Sequence, residues 1–468
     1  MSSPSAALLF YLLFGSFCQS GKAVKKDERR INPAAQGETD SKTLAPGGSP
    51  GPLLRARTEA QPGVEKQALI LATTADFLWK FEAENVKLLQ QMGYTVHFAA
   101  NLNEPAYLSE EDWRVPEGVR MHHIEAARSP YQISSNRTAY DQLLRLIKRL
   151  NIRLIHCHTP VGGVLGRLAA HRSSPRPLVV YTAHGFHFYR GAPLVNRLAY
   201  YRVEQWLARY TDVLITINRE DYQNALRLPL KKGGRVYQIP GVGLDTNRFR
   251  PLSQQRRAVL RARLGIGPEE FFLVSAGELN KNKNHQVVLR AMALLRQQGA
   301  PPIRYGVCGD GFCRRELEQQ IERLGLSGAV TLFGYCPDVL PFLGGADASA
   351  FPSIREGLGM AGLESLAMGI PVLASDNRGT REYMRHGENG FVCSWFDAPA
   401  FARGIAALQG MDAARRSRMA LFCRSSAQPF DKAHAGAAMR RIYQHADQQI
   451  GGRAYEGFTS HQRSDGRI

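Results

Sequence analysis

The stretch ADASAFPSIREGLGMAGLESLAMGIPVLAS, residues 346–375, reads as a strand, a glycine-containing turn, a helix and a second strand. The turn spans Arg355 to Gly359 and the helix runs from about Met360 to Met368, because Gly369 is a typical helix stop. The apolar run IPVLAS then provides the following strand. A strand–helix–strand unit of this length predicts a parallel sheet covered by helices.

The same alternation extends along the chain on both sides of this stretch. It stops at the glycine-rich IPGVGLDTNRFRP, residues 239–251, and then restarts, so the sequence predicts an α/β protein with two doubly wound Rossmann-like domains facing across a cleft. We assign residues 66–245 to an N-terminal domain, 246–430 to a C-terminal domain and 431–468 to a C-terminal helix and tail. Ligands of such sheets collect at the carboxyl ends of the strands, so the cleft is the expected site. The strands of the first series are expected in QALILAT, YTVHFAAN, IRLIHCH, LVVYTAH, DVLITIN and RVYQIPG, and those of the second in FFLVSAGEL, IRYGVCG, AVTLFGY, ADASAFPS and IPVLAS.

The first 65 residues differ from the rest in composition. The apolar run AALLFYLLF, residues 6–14, is too short to span a bilayer, and its basic residues follow it instead of preceding it. Residues 21–65 are rich in proline, glycine, serine and charge without periodicity, which predicts a disordered leader. Two interpretations stay open, a weak membrane anchor and a leader that belongs to an over-extended translation start.

The net charge indicates which classes of partner the protein can bind, and the cysteines indicate its cellular compartment. The 468-residue chain has a formal net charge of +19, and residues 1–66, with nine basic and six acidic side chains, account for little of it. A basic folded part suits anionic ligands or anionic membrane, while the spread of its lysines and arginines without a basic block argues against nucleic acid. Seven cysteines, an odd number without a CxxC pair, predict reduced thiols, a cytoplasmic location and no zinc site.

The turn in the opening stretch has the chemistry of a phosphate cradle. Glycines let the backbone approach a ligand, and the free amides at a helix start favour an anion. The carboxylates of Glu356 and Glu364 do not suit phosphate, so they predict neutral hydroxylated groups on either side of it, a sugar and a ribose. The alternative is an exposed glutamate and a second glutamate that only caps the helix.

Residues 66–446 resemble the retaining glycosyltransferases of family 4, which have the two-domain fold called GT-B. The resemblance rests on two glutamates separated by seven residues, Glu356 and Glu364, followed by ESLAMGIPVLASDNRGTREYMRHGENGFV. Two further motifs, YTAHGFHFY and GELNKNKNH, are most similar to bacterial capsule and exopolysaccharide transferases. The resemblance implies a hexosyltransferase that moves a sugar from a nucleotide sugar with retention of configuration, and we expect a UDP-sugar. It also implies that residues 66–245 form the acceptor-side domain and residues 246–430 the nucleotide-sugar-binding domain.

The resemblance also implies roles for individual residues. His184 and Glu356 are the expected catalytic residues at the donor sugar, Glu364 the ribose ligand and Lys283 the diphosphate ligand. The turn Gly357, Leu358 and Gly359 completes the donor-binding set, and Thr73, Thr74 and His187 are assigned to the acceptor or phosphate side. His158 is a further candidate for acceptor contact or packing.

The sequence departs from the family pattern at two places. Glu278 stands where the family commonly has an arginine, and a carboxylate does not bind phosphate, so Arg355, Arg378 and Arg381 are candidates to replace it. In the first loop, threonines replace a common glycine pair, and the aromatic residues Phe77 and Trp79 suggest contact with lipid.

The remaining expectations concern cofactors and partners. No Asp-x-Asp pair is present to hold a metal, so we expect metal-independent transfer without a cofactor. The expected acceptor is a glycan or a polyprenyl-linked sugar, reached by peripheral contact with the inner face of the plasma membrane. Two other functions stay open, a nucleotide-sugar epimerase of similar fold and a non-catalytic nucleotide-sugar-binding scaffold.

Overall fold

The computed structural model of the protein describes residues 66–105, 111 and 113–464, without the side chains of Asn196 and of residues 453–464. The prediction of a disordered leader falls on residues 1–65 and lies outside the described residues. Two sheets, each built of parallel strands, organise the described chain, which confirms the predicted α/β fold with two Rossmann-like units.

The N-terminal sheet has seven strands in the order β3-β2-β1-β4-β5-β6-β7. A π-helical turn at Leu78–Glu82 follows the first strand and leads directly into the first helix. The strands are β1 (Lys66–Thr74), β2 (Tyr94–Asn101), β3 (Arg120–His123), β4 (Leu154–Cys157), β5 (Leu178–Ala183), β6 (Val213–Thr216) and β7 (Arg235–Gln238). The helices between them are α1 (Ala83–Gln91), α2 (Ile133–Arg149), α3 (Pro160–Arg172), α4 (Leu194–Ala208) and α5 (Arg219–Ala225).

The C-terminal sheet has six strands in the order β10-β9-β8-β11-β12-β13. Its strands are β8 (Phe271–Ala276), β9 (Ile303–Cys308), β10 (Val330–Gly334), β11 (Ala348–Phe351), β12 (Val372–Ser375) and β13 (Gly390–Cys393). The helices are α6 (Gln254–Arg263), α7 (His285–Gln297), α8 (Arg314–Arg323), α9 (Leu340–Gly345), α10 (Met360–Ala367), α11 (Ala398–Gln409), α12 (Ala413–Ala427) and α13 (Lys432–Ser464). The opening stretch is thus β11, a turn, α10 and β12, as its sequence predicts.

Helix α2 shows why the apolar periodicity produces these layers. Tyr140, Leu143 and Ile147 recur on one helical face and are buried against the N-terminal sheet, while the opposite face is polar. The central strands carry apolar residues on both faces, since helices cover both sides of a parallel sheet.

Helix α13 connects the two domains at the end of the chain. The chain crosses back where the backbone N–H of Leu244 donates to the carbonyl of Phe430 at 2.8 Å. From there α13 packs on the N-terminal domain, where the hydroxyl of Tyr443 lies 2.7 Å from Nδ1 of His156 and Asp447 pairs with Lys66 at 2.9 Å. In the described part of the chain, neither α13 nor any other helix combines the length and the apolar composition needed to cross a bilayer.

We expect Tyr443→Phe to lower the free energy of unfolding by about 1–3 kcal/mol, because it leaves a buried histidine nitrogen without its partner. Tyr94→Phe is the matched control, since it removes a 2.7 Å hydrogen bond to Asp447, a carboxylate that water also reaches. Urea unfolding of the two variants measures the difference. Equal losses of unfolding free energy in the two variants would show that the buried hydrogen bond between Tyr443 and His156 contributes no more than the bond between Tyr94 and Asp447.

Candidate active site

The carboxyl ends of β8 and β11 bring two predicted site residues together. Lys283 lies in the loop after β8 and Glu356 in the turn after β11, and Nζ of Lys283 is 2.7 Å from Oε1 of Glu356. Both side chains are largely but not fully buried. The pair joins residues far apart in sequence at the edge of the sheet where α/β proteins bind ligands.

Asparagine side chains hold the two loops in place. Asn282 donates from its amide to the carbonyl of Arg355 at 3.0 Å and accepts from the backbone N–H of the same residue. Asn284 donates to the carbonyl of Pro352 at 3.2 Å. The asparagines of the NKNKN run therefore fix the position of Lys283 relative to the turn, a role that the sequence pattern alone did not indicate.

The turn after β11 requires glycine at two positions. A Cβ atom on Gly357 would lie 1.7 Å from the carbonyl oxygen of His184, so this backbone touches the N-terminal domain directly. Gly359 precedes α10 with φ of 92°, a conformation that L-residues rarely adopt. Leu358 between them is buried, so the turn presents its backbone to the interdomain face.

Glu364 lies on α10 and is partly buried. Loss of hydration raises its pKa from 4.5 to about 7, an effect that Arg248 opposes and Asp338 reinforces. Arg248 and Asp338 pair with each other at 2.8 Å. The carboxyl group therefore lies near this charged pair. It is eight residues further along the chain than Glu356.

His184 follows β5 and faces this turn from the N-terminal domain. Its Nε2 lies 3.1 Å from Nδ1 of His158, and the ring of Phe77 contacts it edge-on at 5.3 Å between centroids. Burial lowers the pKa of His184 and of His158 to about 3. Both imidazoles are therefore neutral near pH 7 and act through hydrogen bonds instead of charge.

A buried cluster lies behind His184, formed by Glu82, His156 and His158. Ligand atoms of these three side chains lie within 4.8 Å of one another, an arrangement able to hold a metal ion. Both ring nitrogens of His156 are already hydrogen-bonded, to Tyr443 and to Thr182, so an ion would have to displace one of these partners. Nε2 of His158, 3.3 Å from Glu82, makes no hydrogen bond.

An ion pair between the domains closes the site. Arg378 donates to Oδ1 of Asp221 at 2.7 Å and to the carbonyl of Phe186 at 2.6 Å. Asn218 donates to the carbonyl of Gly357 at 2.8 Å. Sequence analysis missed Asn218 and Asp221, whose only local signal is that Asn218 caps α5 by accepting from the N–H of Asp221.

Two of the three arginines considered as replacements for the missing phosphate ligand are paired with protein groups in this structure. The guanidinium of Arg378 donates hydrogen bonds to the carboxylate of Asp221 and the carbonyl of Phe186, and Arg381 pairs with Asp376 at 2.6 Å. Arg355 is exposed and remains a candidate. Glu278 is exposed as well, so its carboxylate projects into solvent.

The residues assigned to the acceptor or phosphate side are spread over the N-terminal domain. Thr73 is buried and Thr74 partly buried at the end of β1, and His187 packs against Tyr200 with 4.9 Å between ring centroids. Phe77 and Trp79 are both partly buried, and the suggestion that they contact lipid stays a prediction. Phe77 packs on the rings of His158 and His184, and Trp79 lies against Trp113.

Two facing Rossmann-like domains with a lysine, carboxylates and a glycine turn at the strand ends define a nucleotide-sugar glycosyltransferase of the GT-B class. Residues 256–420 match the family model described as glycosyl transferases group 1, and residues 82–240 match the glycosyl transferase 4-like domain. The chain is 43% identical over 339 residues to the putative glycosyltransferase EpsD of Bacillus subtilis strain 168, covering 72% of this chain and 86% of that one. The chain therefore belongs to the group 1 glycosyltransferases with a 4-like N-terminal domain.

Other relatives extend the comparison. An Escherichia coli protein named UDP-Gal:alpha-D-GlcNAc-diphosphoundecaprenol alpha-1,3-galactosyltransferase is 26% identical, covering 56% of this chain and 68% of its own. HepE from Anabaena, solved with UDP and glucose, superposes with a TM-score of 0.65 at 20% identity, covering 82% of this chain and all of that one. Sucrose-phosphate synthase from Thermosynechococcus elongatus gives a TM-score of 0.69 at 18% identity and the same coverage. At these identities the two structures establish the fold.

Glu364→Gln should stabilise the protein relative to wild type, and this gain should be larger at pH 8 than at pH 5. A carboxyl whose folded pKa is raised stabilises the fold below pH 4.5, and this contribution is lost as the pH rises through about 7. The variant should therefore be more stable than wild type by less than about 1 kcal/mol at pH 5, and by up to about 3 kcal/mol at pH 8. Urea titrations at the two pH values measure this, with the exposed Glu388→Gln as control. A gain independent of pH would contradict the burial of the Glu364 carboxyl.

Gly357→Ala should abolish most activity without unfolding either domain. The added methyl group would collide with the carbonyl of His184, so the turn must move away from the N-terminal domain. Gly328→Ala is the control, because a Cβ there meets open space. Thermal unfolding and sugar-transfer assays on the two variants separate the effects, and wild-type activity in Gly357→Ala would show that this contact is dispensable.

Proposed function

We propose that the enzyme transfers a hexose from a UDP-sugar to a glycan or a polyprenyl-diphosphate-linked sugar, with retention and without a metal ion, in exopolysaccharide or capsule synthesis. It works as a peripheral protein at the cytoplasmic face of the plasma membrane. The observation that carries the proposal is the pairing of Lys283 with Glu356, in a turn whose next residue, Gly357, lies against the backbone of His184.

This pair has the chemistry needed at the junction of a sugar and a diphosphate. The ammonium of Lys283 has three donors, and Glu356 occupies one, so the others remain for phosphate oxygens. The carboxylate of Glu356 has further lone pairs for the hydroxyls of the sugar. Holding both groups together before the donor arrives reduces the cost of ordering them on binding.

The leaving diphosphate gains negative charge as the bond to the sugar breaks. Lys283 and the free amides at the start of α10, helped by the helix dipole, are positioned to stabilise that charge. Protein groups can therefore supply the electrostatic stabilisation that a metal supplies in other transferases. Glu364, further along α10, would bind the ribose, and neutral His184 would hydrogen-bond the sugar from the opposite domain.

The names of the relatives support the proposed biosynthetic role, donor and acceptor. EpsD motivates exopolysaccharide synthesis, and the Escherichia coli relative is named for a UDP-sugar donor and a diphosphoundecaprenol-linked acceptor. Retention rests on the pattern of Glu356 and Glu364, which resembles retaining family 4 enzymes.

Lys283→Ala and Glu356→Gln should each lower kcat/KM for sugar transfer by at least about 100-fold, the loss typical when one charge-stabilising group is removed. Lys281→Ala, which changes an exposed lysine in the same loop, should leave the rate unchanged. The measurement is transfer from UDP-sugars to short-chain polyprenyl-diphosphate-linked sugars, with the anomeric configuration of the product read by NMR.

Wild-type rates in both site variants would overturn these roles, and an inverted product would overturn retention. Incubation of the donor without acceptor separates transfer from epimerisation, because an epimerase converts the donor fully. A thermal-shift screen of uridine, guanosine and adenosine diphosphate sugars identifies the base, since a ligand of the folded state raises its stability. Binding without turnover on a broad acceptor panel would favour a scaffold.

A further inference from the structure

Three titratable side chains form a row behind the candidate active site. The row begins at His184, whose Nε2 lies 3.1 Å from Nδ1 of His158, and continues from Nε2 of His158 to Oε2 of Glu82 at 3.3 Å. His158 follows β4, His184 follows β5, and Glu82 ends the π-helical turn after β1. Because β4 lies between β1 and β5 in the sheet, the carboxyl ends of these strands bring the three side chains together.

The inner end of this row is closed to solvent, whereas its outer end adjoins the donor turn. The side chains of His158 and Glu82 are 1% and 2% exposed, while His184 is only partly buried. The carbonyl of His184 also lies against Gly357, the residue that follows Glu356. Of the three residues, His184 is therefore the one placed to touch a ligand at the turn.

Glu82 is the acceptor at the closed end of the row. Its Oε2 accepts a hydrogen bond from the amide of Asn85 at 2.8 Å, as a carboxylate does. Burial raises the pKa of Glu82, and His156 and Asn85 oppose that rise. In the described part of the chain, Nε2 of His158 makes no hydrogen bond, and a buried polar nitrogen without a partner is costly. A proton on that nitrogen reduces the cost, because it is attracted to the carboxylate of Glu82.

The count of protons then determines the order of donors and acceptors along the row. Each neutral imidazole has one N–H and one lone pair. With its proton on Nε2, facing Glu82, His158 has a lone pair on Nδ1. Nε2 of His184 must therefore donate to that lone pair, which leaves Nδ1 of His184 as an acceptor.

The neighbouring histidine, His156, does not compete for these contacts. Its ring centroid lies 4.1 Å from that of His158, but its own nitrogens are hydrogen-bonded to Tyr443 and Thr182. Neither of these bonds involves the nitrogens that join His158 to His184. The proton order of the row is therefore set at Glu82.

We propose that Glu82 and His158 are positioning residues that hold His184 as the Nε2–H tautomer, so that its Nδ1 accepts a hydrogen bond from a hydroxyl of the donor sugar. The inference rests on the proposed function, since it defines how His184 meets that sugar. The hydrogen bond made by one ring nitrogen of a histidine sets the role of the other nitrogen. His158 then acts on the reaction through His184 instead of touching the acceptor.

Nitrogen-15 NMR of the full chain, labelled at histidine, measures the tautomer directly, because protonated and unprotonated ring nitrogens have different chemical shifts. We expect His184 to carry its proton on Nε2 at pH 7, with its signals assigned by their loss in His184→Ala. Glu82→Met removes the carboxylate with little change in side-chain length. In this variant both tautomers of His184 should be present.

A double-variant comparison tests whether Glu82 acts through His184. Glu82→Met should lower kcat/KM for sugar transfer by about 10- to 100-fold, the loss typical when a partner that orients a functional histidine is changed. The same substitution should cause no further loss in His184→Ala, because residues that act as a unit are not additive. His122→Gln is the control. It changes a second histidine pair of the same sheet, His97 and His122 at 2.8 Å, and should leave the rate unchanged.

Several outcomes would overturn the proposal. A proton on Nδ1 of His184 would show that a protonated Glu82 reverses the row, and a mixture of tautomers in wild type would show that the row fixes neither. Additive losses in the double variant would reduce Glu82 to a structural role, and zinc retained by the purified protein would assign Glu82 and His158 to a metal site.

The NMR measurement on wild type needs neither a substrate nor a variant that folds. It therefore tests the tautomer even if Glu82→Met is unstable in thermal unfolding. Failure of wild type to bind any UDP-sugar in a thermal-shift assay would reject the proposed function alone, because the proton order of the row is read without a donor.

Discussion

The contact between Lys283 and Glu356 is the interaction on which the candidate site depends. It brings together loops from two strands of one sheet, and asparagines on both sides fix those loops before any ligand binds. A largely buried ammonium without a carboxylate would be costly, and so would a carboxylate without a cation. Each side chain therefore keeps the other in place. The same arrangement leaves donors and acceptors free for a ligand that has both phosphate and hydroxyl groups.

Closure of the two domains depends on a different kind of contact. The bond from Arg378 to Asp221 is almost fully buried, and such pairs gain little net stability because both ions lose hydration. Such pairs instead fix the geometry, because removal of one partner leaves the other charge buried and unpaired, which strongly destabilises the fold. Together with the backbone contact between Gly357 and His184, the pair sets how the two sheets face each other. The site thus has a defined width in this closed arrangement.

The sequence predicts α10 and eleven of the thirteen strands in the described part of the chain, because local apolar runs, glycines and prolines determine them. It misses β3 and β13, which are four-residue strands at the outer edges of the two sheets. It also predicts that Lys283 and Glu356 belong to one site, although only their motifs, not any local pattern, indicate it. Asp221 and Arg378 were not paired by sequence analysis, since 157 residues separate them and each has an ordinary local explanation. Asn282 and Glu82 were missed for the same reason. Tertiary contacts of this kind leave no periodic signal in one sequence.

The two sides of the candidate site differ in charge, and in the proposed function this difference would orient the donor. On the N-terminal side, burial holds the pKa of His184 and His158 at about 3, so those rings are neutral. On the C-terminal side, Lys283 and the amide end of α10 provide positive potential. In the proposed binding mode, the diphosphate would lie against the C-terminal domain and the uncharged sugar would face the histidines. An acceptor of that sugar would then enter from the N-terminal domain, where Gly185 lines a cavity beneath α4.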